Sequence, residues 1–250
     1  MLDLEMYRRP IAHRGLHDAS CGVIENTAPA FEAAIAKGFG IECDLRPAAN
    51  GLPVVFHDLT LDRLCEQRGA LARLGASNLK SLRFRGSPTT GVPSFAALLE
   101  LVAGRTPLFV EIKSEWKAPD GAFLRQIAAL ALDYPGPIAI MSFDPAVVAA
   151  IRELAPGLPR GVVSGSYRGA GWRDRNLSFK RARALRTLSE MQPGDAHFFA
   201  YEVGALPTPA TEYARRVRNL PVLTWTVRTE KDRARATQWA DQIIFEGFEP

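Results

Sequence analysis

Acidic and basic side chains stand at the ends of several short apolar runs, and their types suit metal binding and proton transfer. The run Gly40–Asp44 carries Glu42 and Asp44, with Cys43 between them. An extended chain alternates faces with period two, so both carboxylates point one way and the thiol the other. Pro107–Lys113 repeats the arrangement, with Glu111 and Lys113 on one face and Ile112 on the other. His13 and Arg14 stand at the end of Pro10–His13, His57 and Asp58 follow the apolar Pro53-Val54-Val55-Phe56, and Trp225 lies near the end of Leu220–Val227. Carboxylates turned into a protein interior are costly unless they are paired or ligated. A hard divalent cation, Mg²⁺ or Ca²⁺, satisfies an all-oxygen donor set. Two histidines can divide the work of base and acid near neutral pH. Plainer roles exist for each residue: salt bridges to arginines, a mutual Glu111–Lys113 pair, histidines hydrogen-bonded at strand ends, and a core tryptophan. Only a fold that brings them to one place separates the two readings.

The elements that would do so alternate along the chain. Candidate strands are Pro10–His13, Gly40–Asp44, Pro107–Lys113, Pro137–Ser142, Pro159–Ser164, Ala196–Glu202, Leu220–Val227 and Asp241–Phe245. Several begin at or just after a proline, which a strand start tolerates and a central ladder does not. Helical spacing marks Ala28–Lys37, capped by Thr27 with Pro29 in the first turn, and recurs in Ser94–Val102, Gly121–Leu132, Pro145–Leu154, Ser178–Glu190, Pro209–Val217 and Thr229–Ala240. Strands alternating with helices predict an α/β protein with a parallel sheet. Eight such units in 250 residues predict one (β/α)8 TIM-barrel domain over 1–250. An open doubly wound sheet is the second choice, and no strand is followed by its glycine-rich fingerprint. Leu45–Thr90 reads as a small insertion after the second strand, with an Asn50-Gly51 turn and an extra strand ending at His57. In a barrel the strand ends meet at the C-terminal face, where chemistry sits. Few residues follow the eighth strand. The closing helix is therefore expected to be minimal, replaced by Met1–Arg9, or supplied by a neighbouring chain.

Composition removes other classes. A hydrophobic fraction of 47% with 23% charged residues excludes disorder, collagen and a long coiled coil. No apolar run approaches the ~20 residues of a membrane helix, and Met1–Arg9 carries no signal-peptide core. A net charge of +4 gives no reason to expect nucleic acid. Three cysteines, Cys21, Cys43 and Cys65, without a paired spacing argue against disulfides and structural zinc and fit a cytoplasmic address. Arg168, Arg173, Arg175, Lys180, Arg181, Arg183 and Arg186 form a basic tract with Tyr167 and Trp172 nearby. This is an ordinary solvated face, or a surface that steers anionic substrates or rests peripherally on anionic lipid.

These pieces occur in the order of a known pattern. His13-Arg14-Gly15, Ile24-Glu25-Asn26-Thr27, Glu42-Cys43-Asp44, Asn50-Gly51, Val54-Val55-Phe56-His57-Asp58, Glu111-Ile112-Lys113, Ser142-Phe143 and Trp225-Thr226-Val227 follow one another at the spacing of the glycerophosphodiester phosphodiesterase family, which the chain resembles over nearly its whole length. The resemblance implies a (β/α)8 barrel with an insertion, and metal-dependent hydrolysis of a glycerophosphodiester to glycerol 3-phosphate and an alcohol. It implies His13 and His57 as the acid–base pair and Glu42, Asp44 and Glu111 as ligands of one divalent ion, Mg²⁺ or Ca²⁺, with Mn²⁺ a further candidate. Arg14 and Lys113 match groups near the phosphate, and Glu25 and Asn26 match residues bordering the site. Trp225 is a candidate substrate-binding side chain. The resemblance also implies the glycerol 2-hydroxyl as nucleophile, through a cyclic phosphate. Direct attack by water fits the same residues, and either histidine fits either role.

The chain departs from the pattern at Ile24, Asn50, Arg228 and the closing Ile244–Pro250, where Glu246 and Phe248 alter the rim. A lysophospholipase D acting on a one-chain lipid is the alternative within this chemistry, and an apolar groove near Trp225, Phe245 and Phe248 would favour it. A barrel that binds a phosphorylated ligand without catalysis is the alternative outside it. Head group and oligomeric state leave no mark in the sequence.

Overall fold

In the computed structural model, residues 4–168, 177–190 and 195–250 are described. The strands are β1 Ile11–Ala12, β2 Gly40–Pro47, β3 Pro53–Val55, β4 Leu108–Ile112, β5 Ile138–Ser142, β6 Arg160–Ser164, β7 Phe198–Glu202, β8 Val222–Val227 and β9 Gln242–Phe245. The helices are α1 Ala28–Ala36, α2 Ala76–Lys80, α3 Phe95–Val102, α4 Gly121–Asp133, α5 Pro145–Leu154, α6 Phe179–Arg186, α7 Pro209–Arg216 and α8 Glu230–Trp239. All strands except β3 pair in parallel in the ring β1-β2-β4-β5-β6-β7-β8-β9, which β9 closes onto β1 through Ile11↔Ile244 and Ala12↔Phe245. This is the expected eight-stranded TIM barrel.

Two apolar layers follow from strand alternation. Ile41, Cys43, Leu45, Val110 and Ile112 face outward and pack under Phe95, Leu98, Phe123 and Ile127 of the helices. Ile11, Phe109, Ala139, Met141, Val163, Phe198, Leu223 and Ile244 face inward and fill the barrel. A 3-10 turn, Leu4–Tyr7, carries Met6 and Tyr7 into the base of that interior, where the Tyr7 ring lies 5.8 Å from Phe109 and 5.7 Å from Phe198. The N-terminal segment therefore plugs the barrel floor instead of taking the place of a closing helix. On the outer side of β9, Phe245 meets Phe39 edge-on at 5.0 Å and Phe248 at 5.5 Å, so the turn after β9 covers part of that face.

Side chains cap six of the described helices, and the cap predicted at Thr27 is not one of them. Ser94, Asp120, Asp144, Ser178, Thr208 and Thr229 each accept a hydrogen bond from the first turn of their helix. Thr27 occupies the cap position of α1, but its buried hydroxyl donates to the Ile24 carbonyl at 2.6 Å and makes no capping bond. The helix expected to run to Glu190 ends at Arg186, where Thr187 caps it and Leu188 turns left-handed.

The stretch after β2 is the expected insertion. β3 returns antiparallel to β2 with Leu45↔Val55, reversed by a turn in which Asn50 and Gly51 have φ of 59° and 70°. Phe56, Leu61, Cys65, Leu71, Leu79, Leu82 and Phe84 then bury one another in a satellite core.

One barrel position depends on having no side chain. Gly161 on β6 lies across from Phe198, and a Cβ there would come 2.4 Å from the ring of that fully buried residue. Gly161→Ala should destabilise the barrel by about 1–3 kcal/mol through overpacking. Chemical denaturation would then give a lower midpoint with an unchanged slope.

Candidate active site

Barrel closure places the predicted residues at one mouth. Glu42 and Asp44 within β2 and Glu111 near the C-terminal end of β4 point inward, and all three are buried. One oxygen from each lies within 4.8 Å of the others. That spacing suits a shared hard cation with oxygen ligands at roughly 2.0–2.6 Å. The Lys113 ammonium sits 2.8 Å from Asp44 Oδ1 and 2.7 Å from Glu111 Oε1, yet neither oxygen receives a well-directed hydrogen bond. Burial, and then the neighbouring Asp44 and Glu111, push the Glu42 carboxyl well above the usual carboxylate range. Burial also opposes the Asp44 charge, but Lys113, His57 and Arg14 outweigh it and hold that carboxyl well below the usual range. The cluster is electron-rich and incompletely satisfied, and its donors are all hard oxygens.

The loop after β1 is bent to serve this cluster. Arg14 has φ 57° and Asn26 φ 57°, left-handed values that surrounding contacts must enforce. The Arg14 backbone N–H donates to Glu42 Oε2 at 3.0 Å, its Nη1 to Glu25 Oε1 at 2.7 Å, and its Nε lies 3.3 Å from Asp44 Oδ2. Asn26 exchanges hydrogen bonds with Asp44, from Nδ2 to Oδ2 at 2.8 Å and from the Asp44 N–H to Oδ1 at 3.3 Å. Gly15 keeps φ +79°, and a Cβ on it would lie 2.9 Å from the Ala30 backbone. Glu25 and Asn26 therefore stand one step back from the cavity, holding Arg14 and Asp44.

The histidines arrive by different routes. His13 extends β1, and its backbone N–H bonds the Phe245 carbonyl at 2.9 Å. His57 is carried in by the β2–β3 hairpin, which bonds the Phe56 N–H to the Asp44 carbonyl at 3.0 Å. Each ring is tied at Nδ1 to a carboxylate, His13 to Glu246 Oε2 at 2.7 Å and His57 to Asp58 Oδ1 at 2.7 Å. Asp58 is held in turn by Arg63 at 2.6 Å, and Arg63 also forks onto Glu25 with two bonds of 2.8 Å. Burial keeps the His13 pKa below that of an ordinary histidine. An ionised carboxylate only accepts, so the ring nitrogen facing it carries the proton and the other is left for the cavity.

That cavity, about 190 Å³, is lined on one side by His13, Arg14, Glu42, His57, Glu111 and Lys113. Met141, Phe143, Val163 and Trp225 line the other side, with Trp225 meeting Phe143 edge-on at 5.3 Å. Strand-end alternation in β5 and β6 could have revealed this apolar wall, which sequence reasoning missed apart from Trp225. The groove of Trp225, Phe245 and Phe248 that would favour a lysolipid substrate does not form. Phe245 faces the outer layer and Phe248 packs on it beneath Arg233, because β9 alternates Ile244 and Glu246 inward. A larger cleft of about 680 Å³ on the outer flank, between α6 and α7, has Arg186 and Arg218 as its charged lining and no carboxylate among the described residues. Chemistry therefore assigns the smaller cavity.

In the basic tract, Arg181 lies 3.5 Å from Asp144, 3.6 Å from Glu190 and 5.1 Å over the Trp116 ring, whereas Lys180 and Arg183 are exposed. Trp172, Arg173 and Arg175 lie outside the described residues.

Similarity to known proteins converges with this geometry. The chain is 35% identical over 121 residues to glycerophosphodiester phosphodiesterase 1 of Bos taurus, a match covering 44% of this chain and 35% of that protein. It is 27% identical to the glycerophosphodiester phosphodiesterase of Bacillus subtilis, over 95% of this chain and 83% of that one. The chain thus spans about a third of the first relative's length and most of the second's. A phosphodiesterase structure from Oleispira antarctica, solved with the product sn-glycerol-3-phosphate, shares the fold at TM-score 0.72 and 19% identity, covering 97% of this chain and 94% of that chain. A sequence model of the glycerophosphoryl diester phosphodiesterase family matches residues 13–247, a span running from His13 at one end of the cluster through Glu246 at the other. The chain belongs to that family.

Proposed function

We propose that the chain hydrolyses a glycerophosphodiester to glycerol 3-phosphate and an alcohol, with Glu42, Asp44 and Glu111 holding one divalent cation and His13 and His57 serving as acid and base. The observation that carries this reading is the buried carboxylate triad, one oxygen of each within 4.8 Å of the others, facing two histidines with Nδ1 tied. The residues fit a metal: two of the triad's oxygens are buried without a well-directed hydrogen bond, and the hard-oxygen set suits Mg²⁺, Ca²⁺ or Mn²⁺. When bound, the ion would neutralise the phosphate and stabilise charge developing on its oxygens.

The chain's own groups would do the rest. Arg14, fixed by Glu25 and Asp44, offers a planar fork to the phosphate. Lys113 offers a compact cation from the end of β4. One histidine, through Nε2, takes the proton of the attacking hydroxyl, and the other gives a proton to the departing alkoxide. Each transfer contributes on the order of 10²–10⁴-fold. Glycerol's 2-hydroxyl is the nucleophile the family resemblance implies. Met141, Phe143, Val163 and Trp225 keep water from the leaving-group side.

A small substrate suits the cavity better than a lysolipid does. Its volume of about 190 Å³ is below the ~300–1,000 Å³ of sites for drug-sized ligands. A non-catalytic phosphate binder would not need two histidines each oriented by its own carboxylate. Free thiols at Cys21, Cys43 and Cys65 support a reducing, cytoplasmic address, and no helix among the described residues is long and apolar enough to cross a membrane. Exposed Lys180 and Arg183 support a further role in drawing anionic substrate or lipid headgroups to this side of the barrel.

The deciding assay supplies Mg²⁺, Mn²⁺ or Ca²⁺ with glycerophosphocholine, glycerophosphoethanolamine or a lysophospholipid and measures glycerol 3-phosphate and lysophosphatidate. Glycerol 3-phosphate release from the first two is the expected result. Lysophosphatidate alone would transfer the assignment to lysophospholipase D, and no product from any substrate would overturn hydrolysis.

A further inference from the structure

Two of this chain's departures from its family's pattern meet at His13. The position after Val227 is Arg228, and beyond Ile244 the barrel wall ends in Phe245-Glu246. Glu246 is the next inward-facing residue after Ile244, held there by a bond from its backbone N–H to the Val227 carbonyl at 3.1 Å. Its Oε2 receives His13 Nδ1 at 2.7 Å and Arg228 Nη2 at 2.9 Å. The chain separation of His13 and Glu246 is 233 residues, so closure of β9 onto β1 alone brings them together.

We propose that Glu246 is a positioning residue for His13: its carboxylate, anchored by Arg228, fixes the tautomer protonated on Nδ1 and turns the free Nε2 toward the triad. The geometry carries each part. His13 Nε2 lies 3.9 Å from Glu42 Oε2, so the ring edge opposite Glu246 faces the carboxylate cluster. Arg228 donates to the same Glu246 oxygen that receives the ring nitrogen. Side-chain exposure is 13% for His13, 25% for Glu246 and 53% for Arg228, so the chain of contacts runs from the interior to solvent. Without an acceptor at Nδ1, a neutral imidazole is free to place its proton on Nε2 and present the wrong nitrogen to substrate, as happens when the orienting carboxylate of a Ser-His-Asp site loses its charge. His57 has the corresponding device in Asp58 and Arg63, which come from its own hairpin and insertion. The role in catalysis rests on His13 being an acid–base group, as proposed above; the tautomer does not.

Two measurements keep these apart. Long-range ¹⁵N–¹H spectra of the intact protein, at a pH where the rings are neutral, report the tautomer of each histidine. The chain has four, so single substitutions assign them. His13 should carry its proton on Nδ1 in the wild type and shift toward Nε2–H both in Glu246→Ala and in Glu246→Gln, whose amide has no charge and can donate to Nδ1. In parallel, Glu246→Ala and Glu246→Gln should each lower kcat by about 10²-fold with KM within about threefold. Glu249→Gln, which breaks only the exposed pair with Lys37, should match wild type in both readouts. A wild-type His13 protonated on Nε2 overturns the proposal, even if Glu246→Ala does not fold. So does a folded Glu246→Ala enzyme whose kcat is within about threefold of wild type. If the wild type hydrolyses no glycerophosphodiester, the catalytic reading fails while the tautomer result still stands or falls by itself.

Discussion

Alanine at His57 should lower turnover of a glycerophosphodiester by roughly 10²–10⁴-fold while leaving the fold intact. Neither half of that expectation depends on the other. His57 sits on a hairpin at the barrel mouth with a side-chain exposure of 31%, so its removal opens no core cavity. Asp58, its Nδ1 partner, keeps its bond to Arg63, and no buried carboxylate is orphaned. Unfolding should shift by less than about 1 kcal/mol, as for surface changes away from special features. Loss of activity is then chemical. The substrate also tells which role is lost. A 4-nitrophenyl ester of glycerol 3-phosphate releases a stable phenolate and needs no acid, whereas glycerophosphocholine releases choline as an alkoxide and does. If His57 is the acid, the variant should recover most of its rate on the 4-nitrophenyl ester. If it is the base, both substrates should slow equally. A loss below about tenfold on both would remove His57 from the acid–base pair.

Sequence order made much of this site legible, for reasons particular to strands. Period-two alternation put Glu42 with Asp44 and Glu111 with Lys113, and the parallel register Asp44↔Glu111 brings the two pairs side by side as expected. What stayed hidden depends on closure and on competition between equivalent bonds. Nothing local says that Glu246 meets His13, because that contact exists only once β9 pairs with β1. Arg63 is likewise 38 residues from Glu25, and the fold of the insertion brings them together. Phe245 follows inward-facing Ile244, and one step of alternation on β9 turns it to the outer layer, away from Trp225. Thr27 could cap α1 or bond backward to Ile24; burial of the hydroxyl left the backward bond as the outcome. Glu25 and Asn26 were placed at the site's border, where they hold Arg14 and Asp44 instead of lining the cavity.

Exhaustive chelation should reduce turnover by at least about 10³-fold, and Mg²⁺, Mn²⁺ or Ca²⁺ should restore it. The argument rests on charge balance in a buried space. Glu42, Asp44 and Glu111 face Lys113 and Arg14, and Arg14 also serves Glu25. The two cations leave the triad short of positive charge, which is why burial and its neighbours hold the Glu42 proton on to higher pH. A divalent ion would supply the missing charge and displace that proton. Binding to the folded state alone must also stabilise it, by about 2.7 kcal/mol at a hundred times the dissociation constant. For a chain of this size that corresponds to a rise in Tm of about 2–4 °C per kcal/mol. Asp44→Asn tests whether the rise in Tm comes from an ion held at the triad. The amide keeps the shape and the contact with Asn26 but removes a charge that the ion and Lys113 would both use. If the ion is the agent, the variant should lose the metal-dependent rise in Tm together with activity. If Lys113 satisfies the triad unaided, wild-type Tm and turnover should both ignore chelation, and the three carboxylates would then be a salt-bridge cluster and not a metal site.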